Sequence, residues 1–230
     1  MGNYEKAGKV NIYLGEKMKN LYIIGSGGCG REIAWLVERI NNVEATWNLK
    51  GFIDDNESCW GTKEDGYTVL GGCEYLINIA KKHTVYAVCA IGSSLVRKKV
   101  IEKFKGSNVK FATLIDPSVI ISDRVKIGSG TTICAGNIIT VDIQIGNHVI
   151  INFDCTLTHD DIIEDFVTLY PSVNVSGNVV IGNLVELGTG TQIIQGKRIC
   201  SNSIVGAGAV IIKDIEEPGT YVGCPAKKVL

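Results

Sequence analysis

His159 and Asp160 stand in the run Thr156-Leu157-Thr158-His159-Asp160-Asp161, and with only 3 histidines in the chain few groups can exchange a proton near neutral pH. An imidazole beside carboxylates suits a general base, with Asp160 or Asp161 to orient it or stabilise its charge. Gly177 follows eighteen residues later. A glycine packed beside that imidazole leaves room for a carbonyl substrate and offers a backbone N–H to a developing oxyanion. The other histidines have structural explanations: His148 follows Gly146-Asn147 in a turn, and His83 follows Lys81-Lys82 at a helix end, where the dipole favours it. Cys155, four residues before His159, raises an acyl-cysteine intermediate. Its position suits a small packed side chain, and a thiol there stays inert unless an electropositive setting lowers its pKa. The scattered cysteines and histidines have no metal-ligand spacing, so no metal is expected.

A second group of candidates lies nearer the start. Gly25-Ser26-Gly27-Gly28-Cys29-Gly30 follows an apolar strand and opens a helix, a context in which backbone N–H groups cradle phosphate. Asp54-Asp55 closes the next strand, where a nucleotide's ribose or base is read; turn-forming aspartates before Asn56 also account for the pair. Gly92-Ser93, after a later strand, would wall the same crevice.

Two kinds of scaffold must position these groups. From 20 to 108 the sequence alternates short β-rich runs with helical periodicity: strands at Leu21–Ile24, Leu49–Ile53 and Val85–Ile91, and helices at Arg31–Ile40, Glu74–Lys82 and Ser94–Phe104. That pattern predicts a doubly wound, Rossmann-like α/β domain. From 109 to 230 a different period takes over. Counting in sixes from Ile115 to Ile211 meets an aliphatic residue at every step. With aliphatic residues at roughly a third of positions, chance gives such a run on the order of once in a hundred million, so the segment reads as hexapeptide β-helix repeats. Three hexads complete a triangular coil with the aliphatic ladder pointing inward. His159 then falls at a corner and Gly177 on the next coil, about 4.8 Å away. The run from Lys213 to Gly219 breaks the period, and the closing segment is expected to cap the last coil, whose strand edges would otherwise be exposed.

Composition narrows the function classes. The chain has 230 residues and a formal charge of -1, from 23 basic and 24 acidic groups. That balance offers no polycation for nucleic acid and no basic block for a membrane surface. No apolar run nears the roughly 20 residues of a membrane span, and Lys6 stands where a myristoylation signal needs Ser or Thr. The 8 cysteines include no CxxC pair and follow no signal peptide, which fits a reducing cytoplasm. Residues 1–19 are polar and aperiodic, and read as a dispensable leader with Met18 as an alternative start.

Taken together, Ile23-Ile24-Gly25-Ser26-Gly27-Gly28-Cys29-Gly30-Arg31-Glu32, Gly51-Phe52-Ile53-Asp54-Asp55, Ala90-Ile91-Gly92, the hexapeptide ladder with Asn152 and His159-Asp160, and Gly223-Cys224-Pro225-Ala226-Lys227 resemble the bacterial sugar acyltransferases. That family includes sialic acid O-acetyltransferases and UDP-4-amino-sugar N-acetyltransferases, and the resemblance spans Leu21 to Leu230. It implies an α/β Rossmann-like domain followed by a left-handed parallel β-helix with a C-terminal cap. It further implies a homotrimer with active sites between subunits, acetyl-CoA along the β-helix and a nucleotide-linked amino sugar in the first domain. By the same resemblance His159 is the base, Gly177 meets the acetyl carbonyl, Asn152 lines the site, and Thr189, Gly206, Ala207 and Lys227 border the coenzyme. Two positions depart from relatives: Cys29 replaces an aromatic residue or histidine, and Thr168 stands where some N-acetyltransferases carry a second histidine.

The expected function is therefore acetyl-CoA-dependent acetylation of a UDP-4-amino-sugar type substrate. O-acetylation of sialic acid, its CMP form or another sugar is the alternative, and a non-catalytic β-helix binding protein is the reading from another class. A Rossmann dehydrogenase is disfavoured by the short first domain.

Overall fold

The computed structural model describes residues 18–229. The leader assigned to 1–19 lies outside the described residues through position 17. Lys19 is already part of the first strand, which extends that strand two residues beyond the sequence expectation.

The first unit is built on β1 (Lys19–Ile24), α1 (Gly28–Val43), β2 (Trp47–Ile53), β3 (Lys63–Glu64), β4 (Tyr67–Gly71), α2 (Cys73–Ala80), β5 (Tyr86–Cys89), α3 (Ser94–Glu102) and β6 (Lys110–Phe111). Its sheet runs β3-β4-β2-β1-β5-β6 and is parallel except for the β3–β4 hairpin. Leu21 and Ile23 face one way, toward Ile33, Leu36 and Val37 of α1. Tyr22 and Ile24 face the other, toward Cys73 and Leu76 of α2. This alternation along a strand buried on both faces is what a doubly wound sheet requires. The β3–β4 hairpin escaped the sequence reading because its Asp65-Gly66 turn joins strands of 2 and 5 residues, too short to show a period.

The second unit is a triangular prism. Its strands are two residues long, from Leu114–Ile115 to Val210–Ile211, and every ladder residue is the second of its strand. They stack in parallel into three faces. Face one contains Ile150–Ile151 and Thr168–Leu169, face two Thr156–Leu157 and Asn174–Val175, and face three Ile162–Ile163 and Val180–Ile181. Each step in register is eighteen residues, as in Thr156↔Asn174. From Ile133 onward the ladder is buried, while Ile115, Ile121 and Ile127 are only partly covered because they form the first coil. At the other end face one continues into Thr220–Val222 and the antiparallel Lys227–Lys228, which close its edge. This is the expected left-handed β-helix with its cap.

Several corner residues take the left-handed conformation, among them Asp142, Asp160 and Asn178 in one column, where Asp and Asn are tolerated better than most side chains. The two units share contacts. Ala112 and Leu114 pack into the α1 core, and Arg39 of α1 pairs with the buried Asp116 at 2.5 and 3.0 Å. Among the described residues no helix is long and apolar enough to cross a membrane.

Candidate active site

The corner after Thr156–Leu157 on face two carries Thr158, His159, Asp160 and Asp161. Asp160 adopts φ +65°, which turns its carboxylate back so that Oδ2 lies 2.9 Å from His159 Nδ1. Both side chains are more than half exposed in the single chain. One coil further on, Gly177 lies under the imidazole: a Cβ there would collide with Nε2, Cε1 and Cδ2 of His159. The stack is held by Asn178, whose N–H donates to the His159 carbonyl at 2.8 Å. Among the described residues the Gly177 N–H has no acceptor. A proton acceptor, its carboxylate partner and an unengaged amide donor thus share one corner, the set that acyl transfer to a nucleophile needs.

Asp161 behaves differently from Asp160. It is fully buried, and its carboxylate accepts the N–H of Thr158 at 3.0 Å and of Val179 at 2.9 Å. It therefore ties the coil of His159 to the coil of Gly177 and makes no hydrogen bond to the imidazole. Burial pushes its pKa up to about 7. Cys155 is also buried; its Sγ lies 3.3 Å from the Tyr170 carbonyl, and burial raises its pKa to about 11. A thiol so placed is not a nucleophile. His148 is buried between Phe111 and Phe166, and burial, followed by the nearby Arg97 charge, lowers its pKa to about 4.

The residues matched to the coenzyme occupy a different edge of the prism. Asn152 and Gly206 follow strands of face one, with Thr189 and Ala207 beside them in the neighbouring column, where Gly208 donates to the Thr189 carbonyl. Lys227 sits in the closing hairpin opposite Val222. Asn152 and His159 thus stand at opposite ends of face two, with the strand Thr156–Leu157 between them. One chain does not bring them together.

In the first unit, α1 opens from the glycine turn with Gly27 as its cap, and no side chain there accepts from its first N–H groups. Gly30 must be glycine because a Cβ would run into the Gly25 carbonyl. Asp54 Oδ2 accepts the Ser26 N–H at 3.0 Å and hydroxyl at 2.8 Å, which fixes the turn. Asp55 accepts the Cys73 N–H and the Lys103 ammonium, both at 2.8 Å. Burial alone would raise its pKa, but these partners outweigh it and hold the carboxyl below its usual range. A small cavity of about 120 Å³ runs between Gly25, Asp54, Asp55 and Ile91, and a groove of about 940 Å³ continues from Asp55 along Trp60, Tyr75 and Lys103. Gly25, Asp54 and Asp55 therefore line one cavity, Ser26 is tied to it through Asp54, and Gly27 and Gly28 begin α1 next in the chain.

Gly92 and Ser93 are placed differently from the expectation. The Gly92 carbonyl accepts from Thr168 Oγ1 at 2.7 Å, and Ser93 stands at the N-cap position of α3 without a side-chain hydrogen bond, so through Gly92 this turn seats the first unit on the prism. Ile91 is its contribution to the crevice wall. Thr168 is likewise buried in this junction. The sequence reading missed Arg97, Glu186, Trp60 and Lys103; Arg97 lies among Lys98 and Lys99 on a helix, where nothing in the pattern singles out one cation for burial.

A family profile described as the PglD N-terminal domain matches residues 20–104. The chain is 32% identical over 180 residues to GDP-perosamine N-acetyltransferase from Escherichia coli O157:H7, covering 77% of this chain and 79% of that protein. Among solved structures, a histidine-to-asparagine variant of perosamine N-acetyltransferase from Caulobacter crescentus, in complex with CoA and GDP-perosamine, superposes with a TM-score of 0.83 at 27% identity, covering 93% of this chain and 98% of that one. The acetyltransferase domain of PglB from Neisseria gonorrhoeae, in complex with acetyl coenzyme A, gives a TM-score of 0.83 at 28% identity, covering 93% and 100%. The α/β unit, the hexapeptide prism and these likenesses agree: the chain belongs to the hexapeptide-repeat acetyltransferase family that includes the perosamine N-acetyltransferases.

Proposed function

We propose that the protein transfers the acetyl group of acetyl-CoA to the amine of a nucleoside-diphosphate-linked amino sugar, with His159 as general base. The observation that carries this reading is the His159 imidazole, paired with Asp160 at 2.9 Å and stacked on a glycine whose N–H is unengaged among the described residues. Family membership supports the same chemistry, since the perosamine relatives named above are N-acetyltransferases.

In this scheme the substrate amine attacks the thioester carbonyl while His159 accepts its proton, the Gly177 N–H donates to the oxyanion, and collapse of the tetrahedral intermediate breaks the C–S bond and expels the CoA thiolate, which takes the proton from the imidazolium. Asp160 holds the ring and stabilises the imidazolium. The glycine turn cradles the diphosphate at the α1 N-terminus, and the groove from Asp55 past Trp60 takes the nucleoside. Asn152, Thr189, Gly206, Ala207 and Lys227 border the coenzyme.

Asn152 and His159 lie at opposite ends of face two, so a site using both needs two chains. A ring of three prisms satisfies this with one kind of interface, and we propose a homotrimer with its sites between subunits. The chain divides in function after β6 (Lys110–Phe111), a few residues beyond the expected boundary at 108, the α/β unit binding the acceptor and the prism the donor. The cytoplasm, where both substrates arise, is the proposed location.

The test is thioester consumption with acetyl-CoA against UDP-, GDP- and CMP-linked sugars bearing a free amine or only hydroxyls. Turnover with an amino sugar and none with its hydroxyl counterpart is expected. Turnover confined to hydroxyl acceptors overturns the amine assignment.

A further inference from the structure

Arg97 is 1% exposed, and among the described residues no carboxylate pairs with it directly. Backbone carbonyls from both units surround its guanidinium instead. Nη1 donates to Ile91 at 2.6 Å and Gly92 at 2.9 Å, both in the turn between β5 and α3. Nε donates to His148 at 2.9 Å, and Nη2 to Phe166 at 2.8 Å, Val167 at 3.2 Å and the Thr168 hydroxyl at 2.9 Å, all on the prism. Taking a charge out of water without a counterion is expensive, and only a full set of hydrogen bonds offsets it. Burial accordingly lowers the Arg97 pKa to about 10.

The surroundings continue the same joint. Thr168 Oγ1 donates to the Gly92 carbonyl at 2.7 Å. One turn away, the Ser94 N–H and hydroxyl donate to Glu186 Oε1 at 2.8 and 2.9 Å, and Tyr170 donates to the other oxygen of that carboxylate at 3.3 Å. His148, Thr168 and Glu186 stand on consecutive coils, so the β5–α3 turn is fastened along the prism axis. That turn supplies Ile91 to the crevice wall facing Gly25 and Asp54. On the prism side, the carbonyls of His148 and Phe166 belong to the stretches leading into Asn152 and Tyr170.

We propose that Arg97 is a positioning residue for acetyl transfer: it fixes the nucleotide crevice at one distance and angle from the prism, so that the bound sugar's amine arrives at the thioester. This rests on the reaction proposed above. Arg97 touches neither substrate. A planar fork of five donors fits this role, and a lysine ammonium cannot reach two walls at once.

The test compares the wild type with Arg97→Lys and Thr168→Val in the full chain. Three quantities are measured: affinity for UDP and GDP alone, affinity for CoA alone, and steady-state turnover of the nucleotide amino sugar with acetyl-CoA. Arg97→Lys is expected to keep each isolated affinity within about threefold while kcat falls by about 10-fold or more, since misplacement by an ångström is enough for such a loss. Thr168→Val, which keeps the guanidinium, is expected to show the same split in weaker form, and it carries the test if Arg97→Lys does not fold. An unchanged kcat, or losses of both affinities in parallel with kcat, overturns the role. A wild type without turnover on any amino sugar removes the reaction and this role with it, whereas an active wild type matched by its variants removes only the role of Arg97.

Discussion

The imidazole of His159 covers Gly177 so closely that no side chain fits between them. Gly177 is not in the left-handed region, so Gly177→Ala leaves the backbone unstrained and must instead displace the ring. The expected outcome is a kcat reduced by about 10²-fold, the size of losing one aligned donor or base, with a melting temperature within a few degrees of wild type. Circular dichroism melts alongside a turnover assay check it, and a fully active Gly177→Ala separates this contact from the chemistry.

Asp160 does two jobs: its φ of +65° makes the corner, and its Oδ2 meets His159 Nδ1 at 2.9 Å. Asn tolerates the same backbone conformation and removes only the charge. Asp160→Asn is expected to lower kcat by about 10-fold or more while leaving KM for acetyl-CoA nearly unchanged, because the carboxylate stabilises an imidazolium that exists only during proton transfer. Steady-state kinetics with both substrates varied decide it.

The buried Asp161 gives stability a defined pH dependence. Burial holds its folded-state pKa up at about 7, against about 3.9 unfolded. Between those values the folded chain binds the extra proton, so this group's contribution is fully present below about pH 4 and is lost as pH rises toward 7. Asn at the same place does not titrate. The stability of wild type relative to Asp161→Asn should therefore fall steadily from pH 4.5 to pH 7.5 in urea melts. A difference that is flat, or that grows with pH, shows that the two amide donors from Thr158 and Val179 outweigh burial.

Asn152 and His159 lie at the two ends of face two, and that face also presents Ile120 and Ile138 at 66% and 42% exposure. An interface between copies would cover such residues and complete the site from two chains. Sedimentation is expected to give three times the chain mass. Mixing Asn152→Ala with His159→Ala subunits should restore activity, with about one quarter of sites regaining both residues on random assembly. Inactive mixtures of well-formed trimers place both residues in sites within one chain.

Much of this was legible in the sequence because the prism is periodic. A six-residue repeat fixes which side chains point inward and which corners stack, so His159 over Gly177 followed from counting eighteen residues, and the glycine turn with Asp54 followed from a strand meeting a helix. The junction was not legible. Arg97 reads as one more lysine-like charge on α3, and its acceptors are backbone carbonyls, which leave no mark on a sequence. The tie of Gly92 to the prism was not legible for the same reason, since its carbonyl accepts from Thr168, 76 residues away. Asp161 beside Asp160 illustrates the limit of composition: two identical carboxyl groups, one against the imidazole and one buried in the corner, are distinguished only by the turn of the coil.

The most direct test of the account isolates the product of acetyl-CoA and a nucleotide-linked amino sugar by mass spectrometry, with wild type and His159→Ala in parallel. The account expects a product heavier by one acetyl group on the amine, with a rate reduced by at least about 10²-fold in the variant. Equal rates in the two proteins would contradict His159 as the base, and an acetylated nucleotide sugar never formed by wild type would contradict the reaction.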